Sequence, residues 1–212
     1  MSIKIETLGY EPVSTHPTTV ELDKAIQIGP IDFYLCPKCA TNTLRYASYA
    51  HNTGDKREIS EYREDGGDSF LKLKNKKISY LKERSDSIKV AVIRDPVERF
   101  VSAHAWHNYK YFSARAARLK RKFSIEIEEF IGDMKIPNDI HFYPQTEFYG
   151  DPTKYDLMIR PNQIVDLLKE HGLADYDDLH YGKTRIEYAK LTDSQIDIVK
   201  DMYEVDYKNG YC

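Results

Sequence analysis

The 212-residue chain has no apolar run approaching the roughly 20 residues that a membrane-spanning helix requires. Its opening stretch, Met1 to Tyr10, does not set an apolar block behind a basic one, as a secretory signal would. These two absences predict a soluble, cytoplasmic protein. Positive charge is not in excess either: 31 Lys and Arg stand against 34 Asp and Glu, and a net charge of −3 argues against a duplex nucleic-acid binder, which carries a basic footprint. Only three cysteines occur, two of them close together at Cys36 and Cys39, so no disulfide framework staples distant loops. No second ligand pair accompanies Cys36 and Cys39, and a structural zinc site is not expected. Glycine and proline, at 10 and 9, gather nowhere into a linker, and no repeat or low-complexity tract is present. With 41% hydrophobic residues the chain can bury one sizeable core, so a single domain over residues 31–212 is expected, behind an irregular arm over residues 1–30 interrupted by Pro12, Pro17 and Pro30.

Tyrosine, by contrast, is abundant at 17 residues; its amphipathic rings suit the boundary layer of a core or stacking on a sugar or base. The first convincing strand is Ile31 to Cys36, followed by a helix over Thr41 to Ala50 with Leu44 and Ala47 on one side. The polar stretch from His51 to Asp68, with Gly54, Gly66 and Gly67, reads as a surface excursion, and a short strand is predicted at Phe70 to Leu73. Ile88 to Ile93 is an apolar, β-branched run suited to a buried parallel strand. After it, Asp95 as N-cap, Pro96 at the first helical position and Glu98 at capping-box spacing predict a helix from Pro96 to about Tyr109. Further elements are predicted at Ser124 to Phe130 (helix), Leu157 to Ile159 (strand) and Asn162 to His171 (helix closed by Gly172). A last helix opens at Thr192 and Gln195 and carries Ile196, Val199 and Tyr203 at helical spacing. Alternating strands and helices imply an α/β sandwich around a mainly parallel sheet flanked by helices.

Two segments carry chemistry. Cys36-Pro37-Lys38-Cys39-Ala40-Thr41-Asn42-Thr43 lies where a strand end meets a helix N-terminus. Backbone N–H groups and the helix dipole can cradle an anion there, with Lys38 adding charge and Thr41 and Thr43 adding hydroxyls. The G-x-x-x-x-G-K-[ST] pattern is absent, which argues against an ordinary kinase or GTPase. In the second segment, Arg94-Asp95-Pro96-Val97-Glu98-Arg99-Phe100-Val101-Ser102, Arg94 leaves a strand at its carboxyl end, where open α/β sheets bind ligands, and Arg99 and Ser102 share a helix face.

Together these segments resemble the sulfotransferases, whose P-K-x-[GA]-x-[ST]-[SNT] loop and R-D-P-x-x-R-x-x-S segment are matched by Pro37 to Thr43 and Arg94 to Ser102. Ala40, in place of the glycine of many members, is similar to the carbohydrate sulfotransferase branch. So are His141-Phe142-Tyr143-Pro144-Gln145 and the terminal Tyr203 to Tyr207 with Gly210-Tyr211. The resemblance implies a P-loop-like three-layer sandwich and the donor PAPS (3′-phosphoadenosine 5′-phosphosulfate), with PAP as product and no metal. It implies Lys38 at the leaving oxygen, Pro37, Cys39, Ala40, Thr41, Asn42 and Thr43 around the 5′-phosphate, and Arg94 and Ser102 on the 3′-phosphate. Lys183 and Arg185 match the family's late donor-contacting loop more weakly, and the acceptor implied is a carbohydrate-like hydroxyl.

The family's usual general base lies on a segment that reads here Phe70-Leu71-Lys72-Leu73-Lys74-Asn75, and Lys72 and Lys74 suit anion binding better than proton abstraction. His141 is then the candidate base, with Glu61 and Asp68 as alternatives. His104 and His107 fit packing or solvent-facing roles, and Trp106 a core role or stacking on adenine. The basic run Arg115 to Lys122 spreads around a helix, as a solvated surface or a dock for an acidic glycan. Two rival functions stand beside the transferase: a module that binds PAP or an anionic glycan without turnover, and thiol–disulfide chemistry at the C-x-x-C of Cys36 and Cys39.

Overall fold

A computed structural model describes residues 25–54, 80–81, 86–111, 140–173 and 190–212. The predicted strand at Phe70 to Leu73, the helix at Ser124 to Phe130, the basic run Arg115 to Lys122 and the candidates Glu61, Asp68, Lys72, Lys74, Lys183 and Arg185 lie outside the described residues, as do the side chains of Trp106 and His107.

The first element corrects the expected irregular arm. Ala25–Ile28 form strand β1, which turns back through Gly29 and Pro30 into β2 (Ile31–Tyr34), with Ile28 opposite Ile31. Gly29 holds φ 57°, the left-handed backbone required at the first position of a tight hairpin, and Pro30 supplies the negative φ that follows. A proline read as a breaker is here a turn residue.

Helix α1 (Thr41–Thr53) follows β2, then β3 (Tyr80–Leu81) and β4 (Ile88–Val92). Helix α2 (Pro96–Tyr111) leaves β4 at once, α3 (Thr146–Tyr149) is a single turn, and β5 (Leu157–Ile159) is as predicted. A 3-10 turn over Pro161–Gln163 leads into α4 (Ile164–Glu170), and α5 (Asp193–Met202) and α6 (Glu204–Lys208) close the chain.

The strands form one sheet in the order β3-β1-β2-β4-β5. Pairs β2–β4 and β4–β5 are parallel, whereas β1–β2 and β1–β3 are antiparallel, so the sheet is mixed rather than mainly parallel. The hairpin at Gly29 is the physical reason, since adjacent strands joined by a tight turn must run in opposite directions.

Consecutive residues Val90, Ala91 and Val92 of β4 are all buried, as are Ile31, Asp32 and Phe33 of β2, so both faces of the central strands are covered. The main core joins them to Leu44 and Ala47 of α1 and to Ile164, Leu167 and Leu168 of α4. A second cluster packs Phe100 and Ala103 of α2 against Phe142 and against Val199 and Tyr203 at the C-terminal helices. Thr192 caps α5 in the predicted capping box with Gln195, and Val199 and Tyr203 of the expected apolar stripe are fully buried.

Candidate anion-binding site

Because β2 and β4 are parallel neighbours, Tyr34 beside Ala91, their carboxyl ends lie side by side and the two motif loops emerge next to each other. Sequence spacing alone placed Lys38 and Arg94 on separate loops; the sheet brings them together. The Arg94 guanidinium Nη1 donates to the Lys38 carbonyl at 3.5 Å.

The first loop is strained and held. Lys38 and Ala40 adopt φ 68° and 58°, left-handed values that cost a side-chain-bearing residue about 1–2 kcal/mol each. Such turns direct successive amides toward one side, as in anion-binding nests. Four bonds hold the conformation: the Cys39 amide to the Cys36 carbonyl at 3.1 Å, the Thr41 hydroxyl to the same carbonyl at 2.9 Å, Arg99 Nε to the Pro37 carbonyl at 3.0 Å, and the Arg94 contact. The Thr41 hydroxyl proton is therefore committed to the loop, and what Thr41 offers an anion is its backbone N–H.

Helix α1 starts at Ala40 with no capping side chain and no acidic residue in its first turn. Its first internal bond runs from the Leu44 amide to the Ala40 carbonyl, so the N–H groups of Thr41, Asn42 and Thr43 precede the hydrogen-bonded ladder. The positive end of the helix thus faces the loop with no carboxylate in its own first turn.

The second loop is organised by Asp95, whose Oδ1 accepts from the amides of Val97 and Glu98 at 2.9 and 3.1 Å, the predicted N-cap. Glu98 turns its carboxylate to Arg94 Nε at 3.3 Å. Asp95 Oδ2 accepts from the Tyr207 hydroxyl at 3.3 Å, and burial together with that carboxylate pushes Tyr207 up to about 12.

Three cations crowd this corner. Burial first, then the charges of Arg94 and Arg99, lower Lys38 from 10.5 to about 8. Arg99 is fully buried, and Nη1 and Nη2 have no hydrogen-bond partner among the described residues. Burial alone would favour its neutral form, but negative charge on Cys36 and Cys39 acts in the opposite sense, and its hold on the proton is strengthened overall. Ser102, the partner of Arg99 on the helix face, is 6% exposed and His104 is 5% exposed, the packed one of the two placements open to the latter. His141, half-buried, lies on a 3-10 turn, Ile140–Phe142.

Gln145, which sequence reasoning did not single out as a site residue, ties the corner together. Fully buried, it accepts at Oε1 from the Arg94 amide at 2.9 Å and from Cys39 Sγ at 3.3 Å, and it donates from Nε2 to the carbonyls of Arg94 and Tyr211, each at 2.7 Å. Its own amide donates to buried Asp206 at 2.8 Å, and Asp206 also accepts from the Thr146 amide and hydroxyl. One glutamine thus touches both motif loops and the C-terminus. The signal was present in the two late segments ending at Gln145 and spanning Asp206, which bind each other.

Among the described residues no group of His, Cys, Asp and Glu could hold a metal ion, and no helix is long and apolar enough to cross a membrane. Comparison with family models, with curated proteins and with solved structures gave no match.

Proposed function

We propose that the chain is a PAPS-dependent sulfotransferase with a P-loop-like three-layer architecture, transferring a sulfuryl group to a hydroxyl of a carbohydrate or small glycoconjugate. The observation that carries this reading is the pairing of the Lys38 loop and Arg94 at the carboxyl ends of adjacent parallel strands, beside an uncapped helix N-terminus. Adjacent cationic side chains on two loops suit a ligand with more than one anionic group, as PAPS has at its 5′ and 3′ positions.

In the proposed reaction the acceptor oxygen attacks sulfur in line, the S–O bond to the 5′-phosphate breaks, and PAP leaves with the electron pair. Charge gathers on the leaving oxygen, where Lys38 and the amides of Thr41, Asn42 and Thr43 stabilise it. A dianion in the loop also relieves the mutual repulsion of Lys38, Arg94 and Arg99. Arg94 and Ser102 are assigned the 3′-phosphate, and His141 the acceptor proton.

Calorimetry with PAP, followed by transfer of labelled sulfate from PAPS to a panel of sugars, tests the proposal. Micromolar PAP binding and a labelled product are expected. Failure of PAP to bind would overturn it, and binding without transfer to any acceptor would replace it with a non-catalytic PAP-binding module.

A further inference from the structure

We propose that Cys36 and Cys39 are a redox-responsive pair whose oxidation to an intramolecular disulfide reshapes the anion loop that carries Lys38. Three features support this. The thiols flank Lys38 in a turn closed by the Cys39 amide on the Cys36 carbonyl at 3.1 Å, which keeps the two residues one tight turn apart. Both are reduced and fully buried, so neither is a surface thiol.

The third feature is Arg99. Its Nε is anchored on the Pro37 carbonyl within the same turn, while Nη1 and Nη2 are buried with no hydrogen-bond partner among the described residues. A buried guanidinium with two unused donors is costly unless negative charge lies nearby. The groups that act most strongly on it are Cys36 and Cys39, ahead of Tyr203 and Asp206. Arg99 therefore favours a thiolate in the pair, the nucleophilic form, where an ordinary buried cysteine stays inert. Burial raises Cys36 well above the usual thiol range. For Cys39, burial acts upward too, but the Cys36 hydrogen bond and the charges of Arg99 and Arg94 outweigh it and lower the thiol.

The step balances with a hydroperoxide as oxidant. The Cys39 thiolate attacks one peroxide oxygen, the O–O bond breaks, and hydroxide leaves and takes a proton to become water; Cys39 is then a sulfenic acid. Cys36 sulfur attacks Cys39 sulfur, the S–O bond breaks, and a second water departs. Two thiols have lost two electrons and two protons in all, and hydrogen peroxide has become two waters. Entry is through the loop itself, whose Pro37, Lys38 and Ala40 are only half-buried.

A disulfide removes the contact from Cys39 Sγ to Gln145 Oε1, the atom that also accepts the Arg94 amide, and the weak contact from Cys36 Sγ to the Pro37 carbonyl at 3.6 Å. The Lys38 loop then loses its tie, through Gln145, to the Arg94 loop. The effect on PAP rests on the function proposed above, whereas disulfide formation and its effect on Lys38 do not.

The full chain is oxidised with graded hydrogen peroxide, alkylated under denaturing conditions and mapped by mass spectrometry, and the reactivity of Lys38 toward an acylating reagent is followed in the same samples. A Cys36–Cys39 disulfide reversible by dithiothreitol is expected, with at least a threefold change in the Lys38 acylation rate. That change should be absent from the Cys36→Ser/Cys39→Ser variant. Arg99→Lys, which keeps a charge but loses the fork, should form the disulfide several-fold more slowly. Cys36 and Cys39 that stay alkylatable, or oxidise to sulfinic acids without joining, would overturn the proposal. A disulfide that leaves Lys38 reactivity unchanged would do so equally. PAP affinity of reduced and oxidised protein is a separate arm: absence of PAP binding to the reduced chain sinks the transferase reading and leaves the thiol result standing.

Discussion

Lys38 is held charged at a cost, and removing its charge separates stability from binding. Its lowering from 10.5 to about 8 corresponds to about 3 kcal/mol of free energy set against the charged form in the folded protein. Solvent over the exposed part of the side chain screens some of this, so Lys38→Met is expected to stabilise the ligand-free protein at pH 7 by about 1–2 kcal/mol. For a chain of this size that raises Tm by about 2–8 °C. The sign of the pH dependence follows from linkage. Below pH 8 both folded and unfolded chains carry the proton, and the penalty is present in full. Between pH 8 and 10.5 the unfolded chain binds more protons than the folded one, so wild-type stability rises with pH and the advantage of the variant shrinks toward zero. The assay is chemical denaturation of both proteins at pH 7, 8, 9 and 10. A variant no more stable than wild type at pH 7, with a difference that stays flat across this range, would refute the account of the crowded cations. In the same variant PAP affinity should fall. In wild type it should weaken above pH 8, by up to about tenfold per pH unit, because the bound anion requires the proton on Lys38.

Three further outcomes are expected. Arg94→Ala should weaken PAP binding by about tenfold to a hundredfold, the worth of a charge-assisted contact, and should abolish the preference for nucleotides bearing a 3′-phosphate, as titration with matched nucleotides would show. Gln145→Leu strands the amide and carbonyl of Arg94 and the carbonyl of Tyr211 without their partner, at about 1–3 kcal/mol each, so urea denaturation should show a loss of about 3–9 kcal/mol. Gly29→Ala and Gly54→Ala share a left-handed backbone, but a Cβ at Gly29 runs into the Leu173 side chain whereas one at Gly54 meets nothing within 4 Å. The first variant should therefore unfold about 1–3 kcal/mol more easily than the second.

What could be read from the sequence was local. The run Ile88 to Val92, the cap at Asp95, the capping box at Thr192 and the short strand at Leu157 each declare themselves within a few residues, and each stands where expected. The hairpin at β1 did not, because Gly29-Pro30 reads equally as an irregular break until the partner strand is seen. With it went the antiparallel half of the sheet. The burial of Arg99 was equally hidden, since a charged residue on a helix face is usually solvated. Gln145 and Asp206 lie 61 residues apart and act through hydrogen bonds, and hydrophobic periodicity carries no information on long-range polar pairing.

The same long-range pairing explains how the cationic corner holds together. A left-handed Lys38 and Ala40, a guanidinium with two unused donors and a depressed lysine are each unfavourable when taken alone. They coexist because the surrounding bonds over-determine the backbone: Arg99 on Pro37, Thr41 on Cys36, Gln145 across Arg94, Cys39 and Tyr211, and Asp206 beneath Gln145 and Thr146. Strain held by a rigid frame and relieved by an anion is preorganisation, and it makes one division of labour testable. Substitutions in the frame, such as Gln145→Leu, should lower stability and binding together, whereas Lys38→Met should raise stability while lowering binding. A cluster whose charges merely decorated the surface would show neither pattern.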